Sequence, residues 1–139
     1  MTKQLMTFFN TQPRLGTLST ADGKGKVNSA YFGSPQMPDE KTIVMGIGKN
    51  RTFANLQENP LAVFLVMQPG PTLPEWKGVR IYVKMIDSQT SGEMFDSVTA
   101  AIAAKAGANA AKMIHAAVRF EIQEIRPLAD FGQGWEKSI

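Results

Sequence analysis

The sequence has no cysteine, which excludes disulfides, thiolate nucleophiles and cysteine-ligated metals. It has a single histidine, His115, so a multi-histidine metal centre cannot form within one subunit. Long apolar runs are missing as well. The longest, Leu61 to Met67, falls far short of the ~20 residues a membrane helix needs. Behind Met1-Thr2-Lys3-Gln4 there is no apolar stretch of signal-peptide length. These absences describe a soluble, cytoplasmic protein with no metal site and no membrane partner. An excess of one charge is also lacking: 15 Lys and Arg against 12 Asp and Glu leave only +3. The cations are scattered and no basic stripe with interleaved aromatics appears, so no nucleic-acid partner is expected. A surplus this small suits one small anion.

The remaining composition is that of a globular chain. With 43% hydrophobic and 19% charged residues over 139 positions, one domain spanning 1–139 with a packed core is expected. Leu5, Met6, Phe8 and Phe9 recur at helical spacing until Pro13. Leu15 to Thr20 alternates as a half-buried strand does, and Val27 to Gly33 reads as its return strand. Between them Asp22-Gly23 supplies an easy positive φ for the turn. Ser34 to Asp39 reads as a loop and Thr42 to Ile47 as a third strand. Arg51 to Glu58 should be a short helix capped by Asn50, with Phe53, Leu56 and Gln57 on one face and Asn59-Pro60 as its stop. The unbroken Leu61 to Met67 run predicts a strand buried on both faces.

After a loop rich in proline, Val79 to Asp87 predicts another strand. Ser91 then caps an amphipathic helix bearing Met94, Val98, Ala101, Ile102 and Lys105, with Gly107 at its C-terminus. A last strand runs from about His115 to Ile125, and the tail from Asp130, with Trp135, has no clear period. About six strands in runs and three helices favour an α+β, mainly β fold with a closed antiparallel barrel.

The chemistry concentrates in Gly46-Ile47-Gly48-Lys49-Asn50-Arg51-Thr52. Here a strand ends, glycines permit close approach, and a helix opens. Free N–H groups at a helix start and the macrodipole, about +0.5 charge, favour an anion. Lys49 and Arg51 add two full charges, while Asn50 and Thr52 add neutral donors, a set suited to a phosphate monoester. Without an anion the two cations oppose the dipole, at ~0.3–1 kcal/mol each. The same residues also fit a solvated, capped helix with ordinary surface cations, where screening makes that misfit small. The segment lacks the third glycine of a dinucleotide fingerprint, and Gly-Lys-Asn is not the Gly-Lys-Ser/Thr of a P-loop.

The order hairpin, strand, Lys49-Asn50-Arg51-Thr52, Asn55-Leu56, Glu58-Asn59-Pro60 and apolar strand resembles the pyridoxamine phosphate oxidase-like FMN-binding split barrels, a group that includes small FMN-binding proteins and flavin reductases. The likeness covers about residues 5–127 and is most specific over 46–66. It implies a six- to seven-stranded antiparallel split β-barrel with flanking helices, a homodimer, and FMN at the subunit interface. By position, Arg51 and Thr52 match the family's phosphate-binding pair, with Lys49 and Asn50 beside them. Asn28, Ser29 and Ala30 match the strand that runs along the flavin, and Gly46 and Ile47 the strand end that meets it through the backbone. Asn28 and Ser29 could donate to the flavin ring or equally be exposed strand residues, and Met113, Trp76 and Gln68 are candidates to reach a flavin from a partner subunit, although such residues more often serve core or loop packing.

Electrons would pass through FMN from NAD(P)H or a redox-protein donor. A non-enzymatic FMN carrier and a flavin-free β-barrel binding module are the rivals. The family's carboxy-terminal Arg-x-His element has no match, since Arg126-Pro127-Leu128 lacks the histidine. This counts against pyridoxamine phosphate oxidase activity itself. No catalytic acid or base can be named from the sequence. His115 reads as a packed structural histidine, the methionines as core filler, and Asp87, Glu93 and Asp96 as complements to a helix start.

Overall fold

The computed structural model describes residues 2–139, with side chains from Lys3 onward. In chain order the elements are α1 (Thr2–Asn10), β1 (Leu15–Ala21), β2 (Val27–Tyr31), β3 (Thr42–Ile47), α2 (Arg51–Glu58), β4 (Leu61–Gln68), β5 (Lys77–Gln89), α3 (Glu93–Ala106), α4 (Ala108–Lys112) and β6 (Ala116–Pro127). The six strands form one antiparallel sheet in the order β2-β1-β4-β5-β6-β3. Register shifts between Tyr82 and Val83 and between Met85 and Asp87 interrupt the β5–β6 ladder, and bulges of this kind add twist and bend the strands. The sheet therefore curls into a half-barrel whose open edges are β2 and β3. Beyond β2 the chain crosses to β3, where Gln36 and Val44 exchange backbone hydrogen bonds of 2.9 and 2.8 Å. That isolated bridge is the seam of the split barrel, and the mainly β, α+β architecture is the one expected.

Strand alternation explains the core. Leu18, Ile43, Met45, Ile47, Phe64, Val66, Ile81, Val118 and Phe120 all turn inward and are buried; burying a side chain of this size contributes about 1.5–3 kcal/mol. Phe64 stands at the centre, edge-on to Phe9 of α1 at 6.1 Å and to Phe120 at 5.3 Å. Arg14 is also buried, at 7% exposure. Its guanidinium donates to the carbonyls of Phe9 (2.6 Å) and Pro35 and lies 4.8 Å over the Phe9 ring. Burial pulls its pKa below the usual arginine value, so the carbonyl oxygens compensate the charge where no carboxylate does.

The structure corrects several expectations. Only Ala62, Phe64 and Val66 of β4 are buried, whereas Leu61 on the outer face is 54% exposed. The outer face of an antiparallel sheet needs no cover within one subunit, and an unbroken apolar run does not say which face is covered. The buried face of α2 is Thr52, Asn55 and Leu56, while Gln57 is exposed. In the β1–β2 turn the positive φ falls on Gly25, because the Asp22 carboxylate accepts from the N–H groups of Lys24 and Lys26 at 2.9 Å and sets the turn itself. Gly92, not Ser91, occupies the N-cap of α3 at φ 102. Asp87 lies within β5 and not at a helix start. A fourth helix, α4, follows Gly107, and Trp135 in the tail packs against the core. Among the described residues no helix is long and apolar enough to cross a membrane.

Candidate functional site

The end of β3, the start of α2 and the middle of β2 converge on one place. Asn50 sits just before α2 in an extended conformation and accepts from the Phe53 N–H at 2.9 Å. The cap takes up one N–H of the first turn. Those of Arg51 and Thr52 have no acceptor within the helix, as geometry requires at any helix start. Lys49 and Arg51 are exposed, and neither joins an ion pair among the described residues. The seat therefore presents two uncompensated cations and two backbone donors at the positive end of a helix.

α2 is held there by polar contacts along its inner face. Asn55 donates to Thr20 Oγ1 at 3.1 Å, with both residues buried. Asn28 reaches Thr52 Oγ1 at 3.4 Å, a long bond that joins β2 to the first turn of the helix. Thr52 is only 2% exposed, and its hydroxyl accepts from Asn28. At the far end of α2, Glu58 accepts from the Gly23 N–H at 3.0 Å and ties the helix to the hairpin.

The other candidates divide. Ala30 shares a face with Asn28 by strand alternation. Ser29 lies on the opposite face, 2.6 Å from the Ser19 hydroxyl. Gly46 and Ile47 are buried and their carbonyls already accept, from Ser34 Oγ at 3.2 Å and from the His115 N–H at 2.8 Å. Gly46 is also glycine for a reason internal to the chain. A Cβ there would stand 2.7 Å from Ile102 Cδ1 and 3.1 Å from methyls of Val98 and Ile114, so its missing side chain makes room for α3. His115 packs edge-on to Phe53 with ring centres 5.1 Å apart.

Met113 is 76% exposed, and its carbonyl lies 3.4 Å from where a Gly48 Cβ would be, at the border of the seat. Gln68 and Trp76 lie at the end of β4 away from α2. A cavity of about 540 Å³ opens beside the seat, between α3 and the strand edges. Tyr31, Ser34, Gly46 and Gly48 border it, with Lys105 from α3. The sequence held no motif for it, because its walls come from segments far apart in the chain.

Comparisons with known proteins give the family and the fold. A family model described as pyridoxamine 5'-phosphate oxidase matches residues 1–129. No curated protein sequence matches the chain. Among solved structures, an FMN-binding protein from Syntrophomonas wolfei subsp. wolfei is 26% identical, with a TM-score of 0.81 over 91% of this chain and 85% of that one. HutZ, described as the heme storage protein of Vibrio cholerae, shares the fold at 18% identity and a TM-score of 0.63, over 96% of each chain.

Proposed function

The chain belongs to the pyridoxamine 5'-phosphate oxidase family, and on that premise we propose that it binds FMN at the start of α2 and passes electrons through it. The observation that carries this reading is the pair of cations, Lys49 and Arg51, left without carboxylate partners beside free backbone donors. A phosphate dianion would answer both, and the donor set fits the phosphate end of FMN. Arg51 would bind it through its guanidinium and Lys49 as a point charge, with the free N–H groups of the helix start beside them. Asn50 orients the first turn by capping it, and Asn28 holds Thr52 from β2. Ala30, Gly46 and Ile47 border the same seat. Ser29, on the outer face, would act only where a second subunit covers that face. The likeness to an FMN-binding protein at 26% identity supports the assignment.

Bound FMN would supply hydride and single-electron chemistry, and the chain would supply binding, shielding and tuning of its potential. A flavin reductase or related oxidoreductase taking electrons from NAD(P)H or a protein donor is the leading form. A second reading, a carrier that holds FMN without turnover, is favoured by one observation: residues 28–30 and 46–52 include no Asp, Glu or His to move a proton. We further propose a cytoplasmic homodimer of single-domain subunits in which the outer face of β1, β2 and β4 is the contact.

A visible absorption spectrum after FMN addition and desalting tests the cofactor. Flavin bands should stay with the protein, and should wash away after Arg51→Ala with Lys49→Ala. A colourless wild-type protein would remove the central claim, with haem added in parallel as the control. NAD(P)H oxidation above the rate of free FMN would then separate reductase from carrier.

A further inference from the structure

The cavity beside α3 has uneven chemistry. It measures about 540 Å³, within the ~300–1,000 Å³ typical of small-molecule sites. Protein interiors are otherwise close-packed. Here an opening lies beside α3, none of whose residues is buried, next to the place where Val98 and Ile102 close on Gly46 of β3. The walls are mainly apolar and include Val44, Val98, Ile102 and Ile114. No Asp or Glu borders it, and the one charged residue that does is Lys105, in the last turn of α3.

We infer that this cavity binds a small apolar carboxylic acid, its hydrocarbon body between α3 and β3 and its carboxylate at Lys105. Lys105 is exposed where it borders the cavity, so a neutral apolar ligand would gain nothing from its ammonium. A dianion such as phosphate would have to desolvate against aliphatic walls. A single negative charge on an apolar body satisfies both surfaces. The site adjoins the proposed flavin seat at Gly46 and Gly48, but rests on the cavity's own residues and stands or falls separately from it.

Calorimetric titration of the full chain with octanoate and with octanol tests the inference, since the two probes share a body and differ in charge. Octanoate should bind one per chain and more tightly than octanol. Lys105→Met should weaken octanoate on the order of tenfold, as loss of a charge-assisted contact does, and leave octanol unchanged. Lys105→Arg should retain the preference. Ala101→Phe, which fills the cavity from an exposed helix position, should weaken both probes. Parallel FMN titrations followed by absorbance should be the same for every variant.

Equal affinity for the two probes, an octanoate affinity indifferent to Lys105→Met, or displacement of octanoate by FMN would each overturn the assignment. Octanoate binding by a chain that ignores FMN would uphold the cavity site and remove the flavin reading instead.

Discussion

Three side chains carry charge in ways that can be separated by substitution. Arg51 is exposed and makes no ion pair, so Arg51→Ala should weaken FMN binding by about 1.5–3 kcal/mol, the range for a charge-assisted contact. The thermal midpoint without FMN should not move; a large drop would mean that Arg51 is structural. Arg14 is the opposite case. Arg14→Leu leaves the Phe9 and Pro35 carbonyls without their donor and should cost about 1–3 kcal/mol in urea unfolding. Asp130 bonds Arg126 and Arg80. The Arg126 hydrogen bond, and then the Gly132 N–H, hold its carboxyl at about 2, below the ordinary 3.8. A folded pKa below the unfolded one means that the ionised form favours the fold. This contribution is fully present above about pH 4 and is lost as pH falls toward 2. The melting temperature of wild type should therefore exceed that of Asp130→Asn at neutral pH, and the gap should close across that window. A gap independent of pH would assign the difference to packing.

Two glycines show how elements are fitted together, and they should not respond alike. At Gly46 an added methyl meets the ends of Ile102, Ile114 and Val98, which can shift because α3 is not buried. At Gly78 it meets the Val66 carbonyl at 2.6 Å and the Met67 Cα at 3.1 Å, both backbone atoms of β4 locked in the β4–β5 ladder. Gly78→Ala should thus destabilise more than Gly46→Ala in denaturant unfolding, and Gly46→Ala should mainly loosen α3. The reverse order would mean that α3 is more rigidly held than its exposure implies. The difference also marks what the sequence could reveal. The bounds and cap of α2 were legible because Asn50, Asn59 and Pro60 act locally, within one turn of the residues they govern. So was the cationic helix start, a contiguous segment. Gly46 looked like an opening for a ligand because its neighbour, Ile102, is distant in the chain. α4 was missed because Gly107 reads as a stop, and nothing local shows that a short helix resumes on its far side. The cavity, walled by β3 and two helices, had no contiguous signature at all.

At the scale of the whole molecule, the outer face of β2, β1 and β4 leaves large apolar side chains exposed. Val27 is 78% exposed and Leu61 54%, and alternation puts both on that side. If the face joins two subunits, Val27→Asp with Leu61→Asp should give a monomer by sedimentation velocity, with weakened FMN binding and retained β-sheet circular dichroism. A wild-type monomer would place this face in solvent and make the flavin site a property of one chain. The bridge between Gln36 and Val44 bears on behaviour over time. It is an isolated bridge that ties the free edge of β3 to the β2–β3 connection, so breathing of the barrel should begin there and unzip outward. Amide exchange at Val44 should then be faster than along β4, whose both sides are paired. Because Val44 lies on the strand that leads to the proposed flavin seat, a bound cofactor would act as a stitch beside that seam. Slowed exchange on loading, confined to that seam, would record the cofactor as a clasp as well as a reagent.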